Sequence, residues 1–194
     1  MSIRDEIKAH WESGALVKHV PLQVRSVPTP ELRELYILAV RIGYGDDIPA
    51  IHEQFTGQHD AEEEERWIEA EQYLDDFVTA ERITIPHDSR RAKEAFMSRL
   101  DPPEEEVWDI RCYDPPPGLR MLGSFAEKDI FVALSWAYRE TLGTDYEWGF
   151  AKRRSLSAWA VLFPDQKPLT GGYPYDYITG STFSADRVRR PDSR

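Results

Sequence analysis

Val107-Trp-Asp-Ile-Arg-Cys-Tyr113, Leu119-Arg-Met-Leu-Gly-Ser-Phe125 and Ile130-Phe-Val-Ala-Leu-Ser-Trp-Ala-Tyr138 are three apolar-rich runs, parted by a Pro-Pro-Pro-Gly118 connector and the polar turn Ala126–Asp129. Enrichment in Val, Ile, Phe and Trp, partial alternation and turn residues at compatible spacings predict three antiparallel strands. Ala133 to Thr141 is also compatible with the start of a helix. A helix follows from about Tyr146 to Leu162, before Pro164.

Upstream, the periodicity changes to that of helices. Ser2 is placed to cap a helix through Trp11, with Ile3, Ile7 and Trp11 on one stripe and Gly14 beyond its end. Leu16 to Val27 reads as extended. Thr29-Pro30 opens a predicted helix with Leu32, Leu35, Tyr36, Ala39 and Ile42 on its apolar face; Gly43 to Asp47 breaks it before a short helix carrying Ile48, Ile51 and Phe55, closed by Gly57. Ile83–Ile85 reads as a short extended segment, and Asp88 as the cap of another helix through about Leu100.

The plainest helix runs from Asp60 to about Ala80. Glu63 stands three residues after Asp60 as in a capping box, and early carboxylates suit the positive end of the helix dipole. Trp67, Ala70, Leu74, Phe77 and Val78 share a face, whereas Asp60, Glu62, Glu63, Glu64, Glu65, Glu69, Glu71, Asp75, Asp76 and Glu81 face only Arg66 and Arg82 as opposing charges.

Charge divides the chain. Residues 1–106 carry 12 Lys and Arg against 24 Asp and Glu, residues 107–194 carry 12 against 11, and the whole 194-residue chain has a net charge of -11. Asp101-Pro-Pro103 and the glutamates after it mark the boundary. We expect an α+β protein: a mainly helical acidic region over residues 1–103, a small antiparallel sheet with a carboxy-terminal helix over 104–168, and an extended aromatic and basic tail over 169–194. Whether the two main parts share a core is left open.

One cysteine, Cys112, excludes an internal disulfide and a cysteine-rich zinc site, and points to a reducing, cytoplasmic setting. The charged stretch Met1–His10 does not resemble a leader, and no apolar run is long enough to enter a membrane. His52-Glu53 begins like a zinc-protease helix, but Thr56 stands where the second imidazole belongs and His59 lies beyond Gly57. Phosphate-cradling, dinucleotide and serine-nucleophile fingerprints do not occur. Thr29 to Gly57 has a loose helix-turn-helix form, with Ala39 and Gly43 four apart. Its second helix carries no Lys or Arg, so DNA is not an expected partner. No cofactor or metal is expected.

Two groups remain as candidate sites. Arg111, Arg120 and Arg139 lie on the three candidate strands, and Lys152, Arg153 and Arg154 on the last helix. The order of a strand, a Gly-Leu-Arg strand and a strand ending Trp-Ala-Tyr-Arg over residues 107–142 resembles the carboxy-terminal part of the RelE/HigB family of ribosome-dependent ribonuclease toxins. That resemblance implies a sheet whose basic side chains hold RNA, with Arg120 and Arg139 binding phosphate and Tyr138 assisting proton transfer or stacking. Twice the usual length, an acidic balance and a missing lysine pair set this chain apart from the family. The other group is acidic and aromatic: Glu62, Glu63, Glu64, Glu65, Asp75 and Asp76 on the helix, and Tyr173, Tyr175 and Tyr177, whose alternation would put them on one side of an extended arm. From these we expect an interaction or regulatory protein, without enzymatic activity, that binds a protein partner. The alternatives are the ribonuclease, with RNA or the ribosome as partner, and a structural subunit of a symmetric homo-oligomer.

Overall fold

The computed structural model describes residues 1–21, 32–42, 49–80, 82–86 and 95–183. The extended reading of residues 22–27, the Thr29-Pro30 helix start, the break at Gly43–Asp47, Ile48, the Asp88 cap and the Arg-rich end beyond Phe183 lie outside these residues.

Ser2 caps α1 (Ile3–Glu12) reciprocally: its hydroxyl accepts from the Asp5 amide at 3.2 Å and the Asp5 carboxylate accepts from the Ser2 amide at 3.0 Å. After α1 come β1 (Leu16–Lys18), β2 (Glu34–Leu38), α2 (Ile51–Thr56), α3 (Ala61–Thr79), β3 (Ile83–Ile85) and β4 (Met97–Arg99). The three runs of the opening argument are strands β5 (Trp108–Cys112), β6 (Leu119–Glu127) and β7 (Ile130–Tyr138), joined antiparallel. The chain continues as α4 (Asp145–Leu162), a four-residue helix α5 (Pro174–Tyr177) and β8 (Ser181–Phe183).

One mixed sheet organises the molecule, in the order β1-β2-β7-β6-β5-β4, and β3 pairs with β8 in a separate two-stranded ribbon. The sheet is not purely antiparallel, because β2 runs parallel to β7 with Glu34 across from Ile130. It takes β1, β2 and β4 from before residue 103 and β5 to β7 from after it, so the two parts contribute to one core.

Two predicted helices are corrected here. Glu34–Leu38 is a strand: Leu35 and Ile37 enter the core under α3, while Tyr36 and Leu38 enter the opposite core under α1 and α4. A run that is apolar on both sides suits a central strand, and its helical spacing was incidental. Met97–Arg99 is likewise a strand, paired with β5. The helix-turn-helix form of Thr29–Gly57 is lost with the first of these helices.

Three layers result. Trp67, Leu74, Phe77 and Val78 of α3, with Ile51 of α2, cover one face of the sheet; Ile7 of α1 and Ala158, Trp159 and Leu162 of α4 cover part of the other. A third cluster under α4 gathers Leu100, Val107, Leu122, Leu142 and Ala151. Gly123 marks the irregularity between β6 and β7, where a Cβ would lie 2.0 Å from the Val132 carbonyl oxygen. At the hairpin, Asp129 takes φ +64° and its carboxylate accepts from the Thr179 amide and hydroxyl, both at 2.7 Å. Within the described residues, the tail as far as Phe183 is therefore strapped back onto the sheet instead of extending as an arm.

Candidate functional site

The Asp60 carboxylate accepts from the amides of Glu62 and Glu63 at 3.1 and 3.0 Å, which satisfies free donors of the first turn and starts α3 at a fixed point. From there the burial of Trp67, Ala70, Leu74, Phe77 and Val78 dictates which face stays outside. That outer face presents Glu62, Glu64, Glu65, Ile68, Glu69, Gln72 and Asp76. Ile68 is 59% exposed, with Glu64 and Gln72 one turn away on either side and Glu65 and Glu69 beside it. Glu62 pairs with Arg66.

Two carboxylates expected on this surface point elsewhere. Asp75 is buried and its Oδ1 lies 2.7 Å from Nε2 of His19, just beyond β1. Glu63 Oε1 accepts from the Tyr138 hydroxyl at 2.6 Å, while Oε2 lies 3.2 Å from Nδ1 of His59. Periodicity alone could have found Asp75, since it falls between the buried Leu74 and Phe77.

The three tail tyrosines are not on one side. Tyr173 and Tyr175 are exposed and stack with ring centroids 5.1 Å apart, whereas Tyr177 is fully buried. Pro174 begins a helical turn, and in a helix residues two apart point to nearly opposite sides. The Tyr177 hydroxyl donates to Glu106 at 2.7 Å and accepts from Arg99 Nη1 at 2.9 Å and from the Gly171 amide at 2.6 Å. Burial first, and then Glu106, raise its pKa well above the ordinary phenol value. It anchors the tail.

Arg111 and Arg120 are brought together, directly across from one another on β5 and β6, but inside the protein. They flank Asp109, which is fully buried: Arg111 Nε lies 3.1 Å from both carboxylate oxygens and Arg120 Nε 3.4 Å from Oδ2. Arg111 Nη2 also donates to Ser98 Oγ at 2.6 Å, and the Arg120 guanidinium lies 5.2 Å above the Tyr113 ring. Burial lowers the Arg120 pKa against the opposing effect of Asp109. Tyr138 sits on the other face of the sheet from Arg120, half-buried against the core that holds Leu119, and burial followed by Glu63 pushes its phenol up to about 12. Arg139 is exposed and donates from Nη1 to the Leu142 carbonyl at 3.0 Å.

On α4, Lys152 is held by the Asp101 carbonyl at 2.6 Å and Glu105 at 2.7 Å, and buried Arg154 donates to the Trp136 carbonyl at 3.2 Å. Arg153 is exposed. These side chains therefore do not gather on one open basic face. Cys112 is buried, and desolvation pushes its thiol up to about 12, so it stays protonated near neutrality.

A groove of about 160 Å³ between α1 and the sheet is floored by Ile7, Tyr36 and Ile130 and edged by Trp11. Its cations are already paired, Arg4 with Glu127 at 2.7 Å and Lys8 with Glu12 at 3.7 Å. Among the described residues no three His, Cys, Asp or Glu side chains gather as a metal site, and no helix is long and apolar enough to cross a membrane. Compared with protein-family models, curated proteins and solved structures, the chain matches none of them.

Proposed function

We propose that this chain is a binding protein whose α3 presents an acidic frame around Ile68 to a basic partner protein. The observation that carries this reading is the exposure of Ile68 amid Glu64, Glu65 and Glu69. An apolar centre ringed by like charges is suited to a partner that supplies an apolar contact and Lys or Arg around it. The charges would steer association and select the partner, and the desolvated centre would hold it. Glu62 and Asp76 also face outward from α3 and can extend the contact, while the stacked Tyr173 and Tyr175 form a separate exposed aromatic pair.

The test uses the tagged full chain and its Glu64→Lys/Glu65→Lys/Glu69→Lys and Ile68→Asp variants, each captured from host lysate with and without nuclease. The reading expects a stoichiometric protein partner that survives nuclease, is lost with the charge reversal, is weakened by Ile68→Asp, and binds less tightly as salt rises. Co-purification of RNA that nuclease removes, indifferent to all these substitutions, would overturn it.

A further inference from the structure

His59 lies between α2 and α3 with its side chain 11% exposed, and each ring nitrogen faces an oxygen. Nε2 is 2.6 Å from the Gln54 carbonyl oxygen in α2, and Nδ1 is 3.2 Å from Glu63 Oε2 in the first turn of α3. A carbonyl and an ionised carboxylate only accept hydrogen bonds, while a neutral imidazole has one donor and one acceptor. Both contacts are satisfied together only when the ring carries two protons. The seat is otherwise aromatic: the imidazole stacks on Trp67 at 6.3 Å and 18°, and Phe55 and Trp136 each meet Trp67 edge-on.

We propose that His59 is a proton-operated latch: as an imidazolium it ties α2 to the first turn of α3 and, through Glu63, to Tyr138 of β7, and on losing a proton it must release one of these ties. The ionisable groups around it are Asp60 at the cap of α3, Glu63 and Arg66 on α3, Glu53 on α2 and Tyr138 on β7. Glu53 is held by Arg41 and Arg66 lies over the Tyr138 ring, which leaves Glu63 and Asp60 as the charges acting on the imidazole. The Gln54 carbonyl is the largest influence raising the ring's pKa above its ordinary value, Glu63 and Asp60 add to it, and burial opposes them. The folded-state pKa is thus above the unfolded one. The stabilisation is fully present below the unfolded value, near pH 6.5, and is lost as pH rises through the folded value. This device is separate from the proposed docking face, because the carboxylate of Glu63 is turned inward.

The experiment follows the imidazole nitrogens of the full chain by NMR through a pH titration, together with hydrogen-exchange protection factors for Ile51–Thr56. At pH 6 both His59 nitrogens should carry protons, the midpoint should lie above that of an ordinary histidine, and α2 protection should fall about fivefold across it. Protection of Leu74–Val78 should stay constant. His59→Gln should abolish the step in α2, and Glu63→Gln, which keeps the side chain's shape, should lower the midpoint. A single-proton ring at pH 6, an unshifted midpoint in Glu63→Gln, or an α2 step that persists in His59→Gln would each overturn the proposal. Should His59→Gln fail to fold, the Glu63→Gln midpoint and the wild-type nitrogen shifts decide the matter.

Discussion

The outer face of α3 and the interior of β5 and β6 both carry dense charge, yet Glu64, Glu65 and Glu69 stand in water while Asp109, Arg111 and Arg120 are inside the protein. The difference lies in the number of covered faces. A helix on the outside of a layered fold buries one stripe and leaves the rest free. A strand inside such a fold has neighbours on both faces, so every residue from Trp108 to Cys112 is buried, whatever its polarity. Charge on the strand must then find its counterpart locally, as Asp109 does, whereas charge on the helix remains available to another molecule.

The largest effect expected from this contrast is that of Asp109→Ala. Removing the carboxylate leaves two desolvated guanidinium groups without their shared partner and should cost about 3–5 kcal/mol of stability in chemical denaturation. A loss below about 1 kcal/mol, the range of exposed pairs, would mean that the cluster behaves like a surface pair and would break the comparison. Next comes Tyr177→Phe, which deletes a hydroxyl bonded to Glu106, Arg99 and Gly171 and should cost about 1–3 kcal/mol. Its denaturation midpoint also tests whether the tail is part of the core. The smallest effect is expected at Glu64→Gln and Glu69→Gln, each within about 0.5 kcal/mol of the parent. A larger loss there would make the acidic face a structural element and remove the support for docking.

Local signals carried much of the fold. Ser2 with Asp5, Asp60 with its apolar stripe, the three runs ending at Tyr138, and the helix before Pro164 could all be read because cap, period and turn agree within each segment. What could not be read is non-local. Leu35, Tyr36, Ala39 and Ile42 fit a helical face, but the strand containing the first two is specified by β7, whose sequence lies far downstream. Met97–Arg99 depends in the same way on β5. At the candidate sites, composition located the acidic surface but could not separate Glu64 from Glu63, because that distinction depends on where Tyr138 and His59 arrive. The arginines were visible as a group, and their burial was not, since no local pattern reveals that a sheet is covered on both sides. Tyr177 was misread for a related reason: its alternation with Tyr173 and Tyr175 holds only in an extended chain, and Pro174 opens a helical turn.

The placement of β2 between β1 and β7 has a consequence for synthesis. Because β2 can complete its pairing only when Ile130–Ala133 is available, a nascent chain that has emerged only as far as Leu100 carries Leu35 and Ile37 on a strand whose one available neighbour is the three-residue β1. The β5 to β7 meander, by contrast, is built from sequence neighbours and needs no such wait. In vectorial production the amino-terminal half is therefore the part that waits longest for its partner strands, and mutual repulsion among its many carboxylates opposes association between nascent chains in that interval.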